Sequence, residues 1–265
     1  MTPGLVLMMG LPESGKSTYA AALFHTLKES AEGMSLRDLP EERDYLLTME
    51  RRWLALEPVG HSANPAPKSI ALQLKDVDGS EFDVAMPDVN GEEFLDAWEH
   101  GTWTEEITPL VAFAGGVMLF VRANDIVQPE LIEVGHARSS DSDGKAVAPW
   151  TPKLGTTQAM LCDLLEQMSE TRGGQLPPIA VVVSAWDVVE EGLTPEGWLA
   201  WNLPLVDQWL SGSIPPVRFE LFGISAQGGD LENEETRARL ATLPRVGRPG
   251  GAHALTAPLR WLIEA

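Results

Sequence analysis

The sequence contains little cysteine and little positive charge, and each shortage excludes a class of protein. Cys162 is the only cysteine among 265 residues, so no disulfide can form within the chain, and we expect a protein of the reducing cytoplasm. Lys and Arg number 19 against 39 Asp and Glu, which gives a formal net charge of −20. Since so acidic a surface repels polyanions, we expect binding neither to nucleic acid nor to an anionic membrane.

Long hydrophobic runs are also missing from the sequence. No stretch reaches the ~18 apolar residues of a membrane-spanning helix, so we expect no membrane span. Apolar residues nevertheless make up 44% of the chain, which is sufficient for a sizeable core. The length suits one α/β domain with insertions, or at most two small domains.

Short apolar runs typical of buried parallel strands alternate with amphipathic helical patterns. Two more strand patterns flank Asp78-Gly79, a dipeptide typical of a tight antiparallel hairpin. Strands are predicted at 4–9, 69–75, 80–86, 116–121, 179–183 and 217–224. Helices are predicted at 17–30, 40–56, 92–100, 105–113, 156–171, 193–210 and 257–264, with a long surface loop at 138–155. The alternation predicts an α/β fold in which helices cover both faces of a mostly parallel sheet containing one antiparallel hairpin.

The strongest motif lies between the first predicted strand and the first predicted helix. Residues 10–17 read GLPESGKS, which matches the phosphate-binding pattern G-x-x-x-x-G-K-[ST] in the strand–loop–helix context that the pattern requires. Gly15 lets the backbone approach the phosphates, Lys16 reaches the β- and γ-phosphates, and the Ser17 hydroxyl ligates Mg²⁺. The residues expected to bind nucleotide here are Gly10, Glu13, Ser14, Gly15, Lys16, Ser17 and Thr18.

Three weaker motifs follow later predicted strands. Residues 88–91 read DVNG after the hairpin, residues 184–187 read SAWD after the strand at 179–183, and residues 225–227 read SAQ after the last strand. In this order they resemble the motifs D-x-x-G, N-K-x-D and S-A-[KL] of the Ras-like GTPases, which are P-loop NTPases of the TRAFAC class. The resemblance covers nearly the whole chain and implies a Ras-like G domain, a three-layer sandwich over residues 1–265.

Extra segments fall near residues 31–65, 127–155 and 190–215. Together with the degenerate motifs, they resemble bacterial GTPases of multi-gene conflict (defence) systems, the double-GTPase type. The resemblance therefore implies a single GTPase-like domain with three insertions.

The resemblance also implies which residues hold GTP or GDP and Mg²⁺. Asp88 would hold Mg²⁺, usually through water, and the Gly91 N–H would contact the γ-phosphate. Asp187 would accept hydrogen bonds from N1–H and N2–H of guanine, and it would select guanine because adenine lacks this donor pair. Backbone N–H groups near Ala226 would contact guanine O6. The residues expected around the base are Ser184, Asp187, Ser225, Ala226 and Gln227.

The sequence departs from the family pattern at several functional positions. The first-switch threonine is missing, because the place where it is expected is occupied by Ala66. Glu92 stands where the family often has a glutamine that orients water; it positions water or acts as a base, or it merely begins a helix. Ala185 replaces a lysine, and the direction of the neighbouring Trp186 cannot be read from sequence. Glu13 adds negative charge beside the phosphates, Pro12 removes a backbone donor there, and Ala185 lacks the alkyl stem that packs over the base. We therefore expect weaker nucleotide affinity than in a typical small GTPase, and slow intrinsic hydrolysis.

Three functions remain open at this point. The first is a regulatory GTPase whose switch regions are read by a protein partner. The second is a GTPase-fold scaffold with little or no turnover, which the missing threonine and Glu92 favour. The third is a P-loop kinase, since the phosphate loop alone also resembles those enzymes; this alternative leaves Asp187 and the last motif unexplained.

Overall fold

The structure is a computed structural model that describes residues 4–29, 33–59, 69–87, 92–129, 151–242 and 255–265. These residues contain one seven-stranded sheet. Its strands are β1 (Leu5–Met9), β2 (Ser35–Leu36), β3 (Ile70–Lys75), β4 (Glu81–Met86), β5 (Gly116–Arg122), β6 (Ile179–Ser184) and β7 (Phe219–Ile224). The helices are α1 (Lys16–Glu29), α2 (Arg43–Leu54), α3 (Glu92–His100), α4 (Thr108–Phe113), α5 (Thr157–Thr171), α6 (Pro195–Asn202), α7 (Pro204–Gly212), α8 (Glu234–Thr242) and α9 (Ala257–Glu264).

The strands lie in the order β2-β3-β4-β1-β5-β6-β7. β4, β1, β5, β6 and β7 run parallel, whereas β3 is antiparallel to both of its neighbours. The β3–β4 pair is the hairpin predicted around Asp78-Gly79, and it pairs Ile70 with Met86 and Lys75 with Glu81. The predicted α/β fold, with a mostly parallel sheet and one antiparallel hairpin, is thus confirmed.

Each face of the sheet is covered by its own set of helices. Val6 and Met8 of β1 point to the face covered by α1, α2 and α9, while Leu7 and Met9 point to the face covered by α3 to α7. β5 and β6 are buried along nearly their whole length because helices lie on both sides, which explains their continuous apolar sequences. The described residues therefore form three layers, helices, sheet and helices.

One predicted helix is in fact two. The pattern at 193–210 indicated a single helix, but Leu203 adopts φ −133° and ψ 57° and separates α6 from α7. The reason is Pro204, which disfavours helical geometry at the residue before it and removes a backbone donor. The extent of the whole domain and of its three insertions stays a prediction.

Other differences are smaller. The helices predicted at 40–56 and 105–113 are shorter, covering Arg43–Leu54 and Thr108–Phe113. β2 and α8 were not predicted: β2 has two residues, and α8 buries only Leu240, so neither has a strong apolar pattern. Of the loop predicted at 138–155, only its last five residues are described. Within the described ranges, no helix is both long enough and apolar enough to cross a bilayer.

Candidate functional site

Three of the loops that carry predicted motifs lie at one edge of the sheet. β1, β6 and β7 run parallel, so their carboxyl ends lie on the same side. The phosphate loop follows β1, the SAWD motif begins at the end of β6, and Ser225 follows β7. Open α/β sheets bind ligands beyond this edge.

Two glycines allow the phosphate loop to pack closely against neighbouring strands. A Cβ atom on Gly10 would lie 2.7 Å from the carbonyl oxygen of Phe120 in β5. A Cβ atom on Gly15, whose φ is +94°, would lie 2.6 Å from the Oγ of Ser184 in β6. No side chain fits at either position, so the backbone amides of the loop stay accessible to a phosphate group.

Lys16 is buried, with 3% of its surface exposed, at the first residue of α1. Its Nζ donates to the carbonyl oxygens of Gly10 at 2.6 Å and Leu11 at 2.9 Å, and to Ser14 Oγ at 3.3 Å. The Nζ also lies 5.9 Å from the ring centroid of Phe94 in α3. The ammonium group thus sits against the phosphate loop, where its charge and the helix N-terminus both favour an anion.

The remaining residues of the loop differ in their exposure. Ser14 is buried, while Ser17 and Thr18 occupy the first turn of α1 and remain partly exposed. Glu13 is exposed and has a φ of +60°, a left-handed conformation that L-residues other than glycine rarely adopt. The loop therefore carries both backbone strain and an extra negative charge at Glu13.

The SAWD motif contacts the phosphate loop directly. Ser184 Oγ donates to the carbonyl oxygen of Ser14 at 2.7 Å, and this bond is buried. Ala185 is left-handed, with φ 54° and ψ 39°. The indole of Trp186 packs on β7, because a Cβ atom on Gly223 would lie 2.3 Å from the ring. Trp186 therefore contributes to the core beneath the motif.

Asp187 and the last motif meet at the same place. Ser225 Oγ donates a short hydrogen bond to the Asp187 carboxylate and accepts one from the Gly228 N–H at 3.1 Å. Asp187 is exposed, so the remaining lone pairs of its carboxylate face solvent and are available to a ligand. Ala226 and Gln227 are partly buried beside it. The structure thus brings Asp187 and Ser225 into contact, with Ala226 and Gln227 following directly after Ser225, while Ser184 contacts the phosphate loop instead.

One contact at this site was missed by sequence analysis. The indole Nε1–H of Trp53 donates to the carbonyl oxygen of Ala226 at 2.9 Å. Trp53 lies in the last turn of α2, in a segment that the sequence marked only as a helix with an apolar face. No sequence signal links positions 53 and 226, since the contact depends on tertiary packing alone.

The predicted metal and water-activating positions are only partly described. Asp88, Gly91 and the first-switch position at Ala66 lie outside the described residues. Glu92 is the first residue of α3 and is exposed. In the first turn of α1, the Ser17 hydroxyl is a suitable oxygen ligand for Mg²⁺ beside the phosphate loop.

Comparison with known protein families gives one match, and it spans almost the whole chain. The profile of the family described as Double-GTPase 1 matches residues 7–262. A search of curated proteins finds no relative that matches the chain.

Solved structures with a similar course of the chain include three GTPase-related proteins. The bacterial selenocysteine-specific elongation factor EF-Sec is 15% identical, with 91% of this chain and 29% of that chain covered and a TM-score of 0.39. The signal recognition particle receptor complex SRb-GTP/SRX from Chaetomium thermophilum is 14% identical, with 87% of this chain and 94% of that chain covered and a TM-score of 0.41. Era, in complex with MgGDPNP and nucleotides of 16S ribosomal RNA, is 16% identical, with 94% of this chain and 59% of that chain covered and a TM-score of 0.40. The chain thus spans less than a third of the elongation factor.

Proposed function

The chain belongs to the Double-GTPase 1 family, and on that premise we propose that it binds GTP with Mg²⁺, hydrolyses it to GDP and presents its switch regions to a protein partner. One observation carries this proposal most strongly. The SAWD motif is hydrogen-bonded to the phosphate loop through Ser184 and Ser14, so a phosphate-binding and a base-selecting loop share one site.

The phosphate end is bound by backbone amides and by Lys16. A triphosphate that enters the loop offers the Lys16 ammonium charged oxygens in place of the neutral carbonyls of Gly10 and Leu11. Charge-assisted hydrogen bonds are roughly twice as strong as neutral ones, so this exchange favours binding. Lys16 then neutralises charge that develops on the β- and γ-phosphates.

The base is selected by Asp187. Its carboxylate accepts hydrogen bonds from N1–H and N2–H of guanine, while Ser225 fixes the carboxylate in place from the other side. Adenine has no such pair of donors, so it would leave the hydrogen bonds that guanine makes to the carboxylate unformed. Backbone N–H groups of Ala226 and Gln227 bind guanine O6.

Residues of the phosphate loop and of the segment after β4 would hold Mg²⁺ and position the attacking water. We assign Ser17 and Asp88 to Mg²⁺ and the Gly91 N–H to the γ-phosphate, on the resemblance of residues 88–91 to D-x-x-G. Bound Mg²⁺ would supply charge neutralisation between the β- and γ-phosphates. Glu92 orients the water from the first turn of α3.

A GTP-binding scaffold with little turnover is the second candidate. It is favoured by the exposed carboxylates of Glu13 and Glu92, one in the phosphate loop and one at the start of α3. Carboxylates close to a γ-phosphate oppose its negative charge. A P-loop kinase remains the third alternative, and it gives no role to the Asp187–Ser225 contact. Cytoplasmic location, a bacterial defence role and the absence of nucleic-acid or membrane binding stay predictions.

A single-turnover assay separates the first two candidates. Excess protein is mixed with radiolabelled GTP and Mg²⁺, and released phosphate is followed for wild type, Glu92→Ala and Asp96→Ala. Asp96 is the matched control, because it is another exposed carboxylate on α3. We expect the rate to fall about 100-fold in Glu92→Ala, as for a lost water-positioning group, and to stay unchanged in Asp96→Ala. GTP that binds to wild type but is never hydrolysed would favour the scaffold.

A further inference from the structure

α2 connects the helix of the phosphate loop to the loop after β7. At its end, Trp53 is completely buried and donates its indole N–H to the Ala226 carbonyl oxygen, 173 positions further along the chain. This places an α2 side chain directly behind the residues assigned to guanine O6. Side chains that fix a backbone carbonyl in this way also fix the peptide plane that contains it.

The buried carboxylate of Glu50 holds α2 against α1. Glu50, which is 3% exposed, accepts hydrogen bonds from Lys28 Nζ at 2.8 and 2.9 Å, and its Oε1 lies 2.7 Å from His25 Nδ1. Burial alone would raise the pKa of Glu50, but the hydrogen bonds and charges of Lys28 and His25 outweigh it and lower the pKa below its ordinary value. Glu50 is therefore ionised at neutral pH, and both contacts persist.

The same contacts restrict the indole of Trp53. The centroid of its ring lies 5.5 Å from the centroid of the His25 imidazole, which is itself held by Glu50. The indole packs in the core that α1 and α2 share with β1 and β3 to β7. Trp53 is therefore held by packing, and its indole N–H restrains the Ala226 carbonyl group that it binds.

We propose that Trp53 is a positioning residue for guanine recognition, which acts by fixing the Ala226–Gln227 peptide. In a trans peptide the C=O and the following N–H point in opposite directions, so a carbonyl held by Trp53 directs the Gln227 N–H away from α2. The hydrogen bond also keeps the negative end of that carbonyl away from guanine O6. This inference rests on the proposed function, since it assigns a further residue to the same base site.

The test compares ligands that differ in one atom group. In 6-thio-GDP, sulphur replaces O6 and accepts hydrogen bonds weakly, whereas inosine diphosphate retains O6 and lacks the amino group assigned to Asp187. Calorimetry would measure binding of GDP and both analogues to wild type and Trp53→Phe, which removes the indole N–H and keeps an aromatic ring. Trp98→Phe is the matched control, because it removes an indole hydrogen bond of 2.8 Å to the Pro152 carbonyl oxygen elsewhere in the fold.

We expect Trp53→Phe to weaken GDP and inosine diphosphate equally, by about five- to tenfold, as for one lost hydrogen bond. The loss should be less than about twofold for 6-thio-GDP, because its O6 contact is already impaired, and Trp98→Phe should change none of the three. A role confined to stability would weaken all three ligands equally, and that result, or unchanged GDP binding, would overturn the inference.

Two further measurements keep the outcome decisive. If Trp53→Phe unfolds, benzothienylalanine at position 53 keeps the shape of the indole and replaces its N–H with sulphur, and the same pattern is expected. The wild-type titration is read separately. If wild type does not bind GDP, the proposed function fails. If wild type binds GDP tightly but Trp53→Phe weakens 6-thio-GDP as much as GDP, only the role of Trp53 fails.

Discussion

The two ends of the candidate nucleotide site are built in different ways. The phosphate end consists of consecutive residues, 10–18, whose geometry follows from two glycines and the start of one helix. The base end is assembled from distant segments, with Asp187 held by Ser225 and Ala226 held by Trp53. The phosphate loop is therefore a local motif, whereas the geometry of the base end depends on packing across the sheet.

The two ends meet at a single crowded point. Gly15 and Ser14 of the phosphate loop lie against Ser184, which donates to the Ser14 carbonyl oxygen at 2.7 Å. Any atom added there must displace either the loop or the end of β6. A substitution at this point should therefore disturb both ends of the site, whereas a substitution elsewhere in the phosphate loop should change the phosphate end alone.

The largest effect is expected from Gly15→Ala, which disturbs both ends together. The new Cβ would lie 2.6 Å from Ser184 Oγ and 2.8 Å from Ser184 Cβ, and the residue would keep a φ of +94°. The left-handed conformation costs about 1–2 kcal/mol and the overpacking about 1–3 kcal/mol. Urea denaturation should show a loss of about 2–5 kcal/mol in the free energy of unfolding, and nucleotide binding should fall with it.

Gly79→Ala is the control that separates strain from collision. Gly79 has a φ of +90°, but nothing lies within 4 Å of its added Cβ. This variant should lose about 1–2 kcal/mol, the cost of the left-handed conformation alone, and keep its nucleotide affinity. Equal losses in the two variants would mean that the contact between Gly15 and Ser184 has no energetic weight.

A smaller effect of opposite sign is expected at Glu13, which belongs to the phosphate end alone. Glu13→Gly relieves the φ of +60° and removes a negative charge from the loop. Affinity for GTP should rise about fivefold, equivalent to ~1 kcal/mol. Guanine selectivity should not change, because the base end is untouched.

Glu13→Gln shows how much of the gain in GTP affinity comes from the lost charge and how much from the relieved backbone. It removes the charge and keeps the strained backbone, so the part of the gain that it reproduces in calorimetry is electrostatic. A weaker affinity for GTP in both variants would contradict this account, because it would mean that the Glu13 carboxylate contributes to binding.

The same contrast explains what could be predicted from the sequence. The order of the strands along the chain, the β3–β4 hairpin and the phosphate loop follow from local patterns, since each depends on neighbouring residues. The division of the helix predicted at 193–210 was also local in origin, because Pro204 stands at the break. Its signal was outweighed by the apolar pattern that runs through both halves.

The base end was predictable only in part. The motifs at Asp187 and Ser225 could be located by their positions after strands, but not their mutual hydrogen bond. The role of Trp53 had no signal, because a tryptophan in an apolar helical stripe looks like any other core residue. The direction of Trp186 likewise depends on Gly223, because the indole after β6 packs closely on β7, a contact that the sequence does not encode locally.

The central claim is that this site selects guanine through Asp187, and one calorimetric experiment tests it most directly. GTP, ATP and xanthosine triphosphate are titrated with Mg²⁺ into wild type and Asp187→Asn. We expect wild type to bind GTP at least about 100-fold more tightly than ATP, and Asp187→Asn to lose that preference and gain affinity for xanthine, whose C2 carbonyl accepts from an amide donor. ATP binding to wild type as tightly as GTP would contradict the account.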